Sequence, residues 1–164
     1  MKDSKLNETS WFDQVKIQAE VLLPVLRVLR AELGVKKANK LIYSALREWM
    51  KNTYKTMANE IEGSPQTKWR QISEIDEPTF FDDLEVEVLL DDTSSLEFNI
   101  TGCRYAEYFR QLGEPELGAI LNCEADEHIA SIGEPEVIFA RSQTKMGGAS
   151  HCDFRYQFNA KTKK

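Results

Sequence analysis

An α+β domain is the fold class this sequence predicts, and three patterns predict it. Two long amphipathic helical stretches open the chain. The apolar period then drops from 3.6 to 2 after residue 83, and two hairpin patterns follow with helices between them. The expected architecture is an N-terminal helical hairpin packed with an antiparallel sheet built from two β-hairpins and two intervening helices. At 164 residues the chain suits one domain, 1–164. Its helical hairpin spans 1–62 and its cysteine-bearing α+β part spans 83–159.

Ser10 with Asp13 is a capping box of the Ser-x-x-Asp kind and opens the first helix. Val15, Leu22, Leu26, Leu29 and Leu33 recur at helical spacing, Pro24 inside the run predicts a kink or break, and Gly34 is a natural stop. A second helix runs from about Lys36 to Ile61, with Ala38, Leu41, Ile42, Ala45, Trp49 and Met57 along its predicted apolar stripe. Gly63-Ser64-Pro65 ends it. Residues 66–82 read as a connector with a short helix near Trp69 to Ile75.

Leu84, Val86, Val88 and Leu90 then alternate with acids, and Leu96, Phe98 and Ile100 alternate with Glu97, Asn99 and Thr101 across the turn at 91–95. This predicts an antiparallel hairpin with one wet face. Helices are expected at about 103–112 and 115–131, where Pro115 suits a first turn because its missing N–H has no helical partner anyway. The second hairpin uses Glu136–Thr144, a loop through Met146-Gly147-Gly148, and His151–Asn159.

Composition bounds the function. The chain is 41% apolar and 29% charged, an ordinary globular balance. No apolar run approaches the roughly 20 residues that span a bilayer, and the start, MKDSKLNETS, lacks a signal peptide's apolar stretch. The expectation is a cytoplasmic protein with no membrane partner. Of the net charge of −6, the acidic share is concentrated late: Glu74 to Asp92 holds nine acids and no base. Such a block repels phosphate backbones, so nucleic acid is not an expected partner. The terminal lysines 161, 163 and 164 read as a frayed tail. Three cysteines, none in a Cys-x-x-Cys pair, fit neither a disulfide framework nor a zinc-finger spacing. They are expected as free thiols that are buried, catalytic or metal-bound.

Two segments carry a family resemblance, TGCRYAEYFRQLGEPELGAILNCEADEHI at 101–129 and EPEVIFARSQTKMGGASHCDFRY at 134–156. A cysteine closes a strand, a Cys-x-x-Asp follows on a helical stretch, and Gly-Gly-x-x-x-Cys-Asp-Phe follows an arginine-bearing strand. This pattern resembles the L-2-amino-thiazoline-4-carboxylic acid hydrolase family. The resemblance implies hydrolysis of a small cyclic amidine-type ring: water adds at the amidine carbon, the ring sulfur departs as thiolate, and an N-carbamoyl amino acid results. Such chemistry needs a nucleophile, an acid that keeps the ring nitrogen protonated, and a cation or dipole for the substrate carboxylate.

Cys152 is the first candidate nucleophile. Strand parity places it on one face with Phe154, Tyr156 and Phe158, which should point inward. The bland reading is a small core residue. Neighbouring His151 is a poor base for it, because adjacent strand residues face opposite ways. Cys103, expected at the N-terminus of the helix after Gly102, is the runner-up, since a helix dipole lowers a thiol's pKa. Cys123 and Asp126, three apart on a helix, share a flank on which a buried carboxylate becomes a general acid or base. His128 reads as a satisfied core residue.

Arg141 shares parity with Val137 and Phe139 and needs a partner: a substrate carboxylate, or equally Asp126 or Asp153. Gly147 and Gly148 let backbone approach a ligand closely, and Asp153 supports them. No cofactor is expected; the alternative is zinc held by the three thiolates, with water or Asp126 in fourth place. The expected partner is a small-molecule substrate, with a homodimer through the N-terminal helices as a further possibility. A non-catalytic module that binds or senses a small ligand or a metal is the alternative function, and a structural interaction protein using its helical hairpin is a third.

Overall fold

In this computed structural model the described residues are 10–159, with side chains left out for 75–80. The lysine-rich tail and most of the N-terminal decapeptide lie outside them. Helix α1 (Trp11–Leu33) starts where Ser10 Oγ accepts the N–H of Asp13, the N-cap half of the predicted box, while the Ser10 hydroxyl donates to the Asp13 carboxylate. The helix continues through Pro24 without a break. Gly34, at φ +79°, then turns the chain into α2 (Val35–Glu60), a conformation that costs glycine little.

The hairpin's inner face is only partly the predicted one. α1 buries Val15, Ala19, Leu23 and Leu26, whereas α2 buries Ala38, Tyr43, Met50, Tyr54 and Ala58. Leu41 and Trp49 face out at 53% and 52% exposure. α2 carries apolar residues on two sides, and the side that meets α1 and the sheet is set by tertiary packing. α1 also has a second stripe in solvent: Ile17, Val21, Val25 and Val28. Arg30 locks the helix end with a two-pronged ion pair to Glu114 at 2.5 and 2.8 Å, assisted by Asn39 and Tyr43.

Residues 65–80 are a third full helix, α3 (Pro65–Phe80), where the sequence suggested a connector with one short turn. Ser64 caps it, Pro65 occupies its first turn, and Trp69 and Ile72 anchor it in the core. Its composition is mixed and weakly periodic, so its helicity rests on those two anchors.

The sheet has the order β1-β2-β4-β3, from β1 (Leu84–Asp91), β2 (Ser95–Cys103), β3 (Val137–Ala140) and β4 (Cys152–Phe158), all antiparallel. Two hairpins therefore meet through β2 and β4. The first turn is held by Asp92, whose Oδ1 accepts the N–H groups of Ser94 and Ser95 and the Ser94 hydroxyl. β1 corrects one expectation: it is an edge strand with both faces open, and Val86, Val88, Leu89 and Leu90 are exposed. An irregularity between Val88 and Leu90 interrupts its alternation.

Between the hairpins run α4 (Arg104–Gln111) and a continuous helical stretch made of α5 (Pro115–Gly118), a π turn (Ala119–Cys123) and α6 (Glu124–Gly133). The core has two halves. One joins α1 and α2 to α4 and α5; the other joins α2, α3 and α6 to the sheet, and Leu84 and Cys103 pack against both. Arg47 ties α2 to α6 with a fork on Glu124. No helix of the described residues is long and apolar enough to cross a membrane.

Candidate functional site

Cys103, Cys123 and Cys152 arrive from three different elements. Cys103 ends β2 and caps α4, its Sγ accepting the N–H of Ala106 at 3.4 Å. Cys123 closes the π turn. Cys152 begins β4 opposite Ile100 and faces inward with Phe154 and Tyr156, as its strand parity predicts. The sulfurs sense one another: a charge on Cys152 disfavours ionisation of Cys103, and charges on Cys103 and Cys152 disfavour that of Cys123. All three are free thiols.

Their environment keeps them protonated. Burial raises Cys103 to about 11, overriding the N–H groups of Ala106 and Tyr105 that pull it down. The lowering expected at this helix start is therefore not the outcome: desolvation outweighs the two backbone N–H bonds. Burial also raises Cys123 strongly, with Asp126 adding to the rise and Arg141 opposing it. At Cys152 burial again raises the thiol, while the Lys145 N–H, 3.2 Å from Sγ, and the Arg141 charge pull it back.

Arg141 is the hub. Just past β3, its side chain is 6% exposed and its guanidinium reaches Asp126 at 2.6 Å, the carbonyl of Cys123 at 2.9 Å and Glu127 at 3.1 Å. It also lies over the Phe154 and Phe139 rings. Of the partners open to it, the structure supplies Asp126. A guanidinium buried against aromatic rings requires such a counter-charge.

The remaining candidates sit apart from the sulfurs in role. Asp153 points to the opposite side of β4 and binds the N–H groups of Ser142 and Gln143 and the Ser142 hydroxyl, holding the loop over 141–151. Gly147 donates to Thr144 Oγ1, and Gly148, at φ +100°, donates to the Lys145 carbonyl. Both glycines shape the turn that leads into Cys152, and a Cβ on Gly148 would come 3.1 Å from the Arg110 guanidinium. Buried Met146 pins that turn to the core. The His151 ring bonds Gln143 and Ser150. His128 is not satisfied as expected: its Nε2 is buried with no partner among the described residues. For the zinc alternative, no group of three His, Cys, Asp or Glu side chains among the described residues is placed to hold a metal ion.

Sequence reasoning missed the molecule's aromatic cavity. It encloses about 150 Å³ between α1, α2, α3, the π turn, α6 and the sheet, with Trp69, Phe98, Phe154, Tyr156, Asn122 and Asp126 in its walls. None of the cysteines is among its lining residues. Ile100, Asn122 and Phe154, which are lining residues, are close in register or sequence to Cys152 and Cys123, so the cavity adjoins the thiol cluster. No local motif announces such a space, because its walls come from elements far apart in the chain.

The fold and site thus define a small α+β protein whose helical hairpin and four-stranded sheet enclose a thiol cluster beside an aromatic cavity. The chain belongs to the L-2-amino-thiazoline-4-carboxylic acid hydrolase family, whose model matches residues 14–156. No curated protein matches it. Among solved structures, it is similar to the crystal structure of the phenol-responsive sensory domain of the transcription activator PoxR with phenol. The two share 15% identity over 84% of this chain and 73% of that chain, with a TM-score of 0.41.

Proposed function

We propose that the chain is a hydrolase that opens a small cyclic amidine-type ring, such as 2-amino-thiazoline-4-carboxylate, through its cysteine-containing site. The supporting observation is that the family match spans the segment in which Cys103, Cys123 and Cys152 gather beside the Arg141–Asp126 pair. Cys152 is the nucleophile of choice: burial raises its thiol, the Lys145 N–H and the Arg141 charge offset part of that rise, and its strand turns it inward beside the Arg141–Asp126 pair.

A protonated thiol suits a basic amidine. Transfer of the thiol proton to the ring nitrogen generates nucleophile and electrophile together. Sγ then adds at the amidine carbon, the carbon–sulfur bond of the ring breaks, and the ring sulfur leaves as a thiolate that takes up a proton. Water displaces the enzyme sulfur, regenerating Cys152 and releasing the N-carbamoyl amino acid. Asp126 holds Arg141 in place, and a substrate carboxylate would compete with it for the guanidinium fork.

The burial that keeps the thiols neutral favours a second reading, a small-ligand-binding module without turnover. Incubation with 2-amino-thiazoline-4-carboxylate, followed by titration of newly released thiol, separates the two. Turnover that falls at least about 100-fold in a folded Cys152→Ser variant supports the hydrolase. Binding without any thiol release establishes the module instead.

A further inference from the structure

We infer that the aromatic cavity is a binding site for a neutral, single-ring aromatic molecule whose polar substituent both donates and accepts a hydrogen bond. The site would be separate from the thiol cluster and independent of the hydrolase proposal. Its walls are flat and apolar: Trp69, Phe98, Phe154 and Tyr156 contribute rings, and Ile129, Leu121 and Ile100 fill between them. Phe98 stacks on Phe154 at 4.8 Å, and Trp69 leans on Tyr156 at 5.2 Å. The space of about 150 Å³ matches the size of an engineered apolar cavity that admits benzene.

Two wall residues carry polar atoms that the fold leaves unsatisfied. Asn122 and Trp69 are each 7% exposed, and neither Asn122 Oδ1 nor Trp69 Nε1 has a hydrogen-bond partner among the described residues. The other half of the Asn122 amide is committed, since its Nδ2 donates to the Gly118 carbonyl at 3.1 Å. That bond orients the amide, leaving its oxygen as an acceptor while the indole N–H remains a donor. Buried polar atoms are nearly always paired, and each orphan costs about the desolvation of its group. A ligand offering one donor and one acceptor would satisfy both.

Charge narrows the class. Asp126 is the one carboxylic acid among the described lining residues, and no lysine or arginine is among them. A carboxylate ligand would meet no cation there. The cavity therefore selects a neutral molecule, unlike the carboxylate substrate of the proposed hydrolysis. Phe81, 39% exposed, brings the wall to the surface and gives an entry side.

Benzamide titrated into the full chain, followed by tryptophan fluorescence and calorimetry, tests this. The expected result is one site per chain, with benzamide bound about 5- to 10-fold more tightly than ethylbenzene and benzoate weakest. Trp69→Phe, which removes the indole N–H and part of the ring system while keeping an aromatic wall, should erase most of the preference for benzamide over ethylbenzene. Ala125→Leu, which fills the space from a half-buried wall position, should weaken both ligands together. Cys152→Ser should leave benzamide affinity within about twofold. Absence of saturable binding, equal affinity for benzoate, or unchanged affinity in a folded Ala125→Leu variant would overturn the proposal. Loss of benzamide binding in Cys152→Ser would overturn the separation of the two sites.

Discussion

Arg141 and Asp126 meet at 2.6 Å, with the arginine side chain 6% exposed and the aspartate 23%. The pair joins the exit of β3 to the first turn of α6, passing beside Cys123. Removing one partner leaves a largely buried charge without its counter-ion, which costs about 3–5 kcal/mol. Asp126→Asn should therefore lower unfolding free energy by about 3 kcal/mol in urea titrations. Replacing both residues by apolar ones of similar size should cost less than either single change. A single variant as stable as the parent would mean that Glu127 alone suffices for Arg141.

Alkaline stability should carry the signature of Cys103. Its folded value lies near 11 against an ordinary 9.0, so the fold favours the neutral thiol. The sign follows from proton linkage: this contribution is fully present below pH 9 and is lost as pH rises from 9 towards 11. Cys103→Ser should flatten that part of a denaturation-midpoint profile. Alkylation of the same residue by iodoacetamide should accelerate across the same interval.

Acid stability should involve Asp153. Slight burial pushes its carboxyl up, but the Ser142 hydroxyl and the N–H groups of Ser142 and Gln143 outweigh it and hold the group below its ordinary 3.8. A depressed acid stabilises the fold above its unfolded value, and the benefit disappears as pH falls below 3.8. Asp153→Asn should remove that acid-limb dependence, and amide exchange at residues 142 and 143 should quicken while β4 stays protected.

Gly118 lies directly beneath Phe109. A Cβ there would fall 2.5 Å from the ring's Cγ, within the fully buried packing of α4 on α5. Gly118→Ala should destabilise by about 1–3 kcal/mol, as overpacking does. Because the same residue leads into the π turn, displacement should also appear in the NMR shifts of Asn122 and Cys123. An unperturbed spectrum would show that Phe109 moves aside freely.

Local chemistry explains how far the chain could be read in advance. Ser10, Gly34 and Pro115 mark helix ends through side-chain or backbone properties that act within one turn. Strand period two placed Cys152, Phe154 and Tyr156 on one inward face, which pairing with β2 preserves. The buried side of α2 was harder, because Leu41 and Trp49 recur at helical spacing just as Tyr43, Met50 and Tyr54 do. Only the packing of α2 on its neighbours distinguishes the two stripes. The π turn at 119–123 likewise leaves no compositional mark, and it is this turn that ends in Asn122 and Cys123. The three cysteines stood out in the family-like segments, while the upward shifts of their thiols follow from burial that no spacing encodes.

The open β1 strand bears on how the molecule behaves in a crowded solution. Residues 84–90 read Leu-Glu-Val-Glu-Val-Leu-Leu at a sheet margin, a segment whose valines and leucines would template cross-β stacking between chains. Glu85 and Glu87 interrupt that template with repulsion at every other position. The acidic run thus acts as a colloidal safeguard. Exchanging Glu87 for valine should convert a dispersed solution into one that deposits thioflavin-positive fibrils on standing.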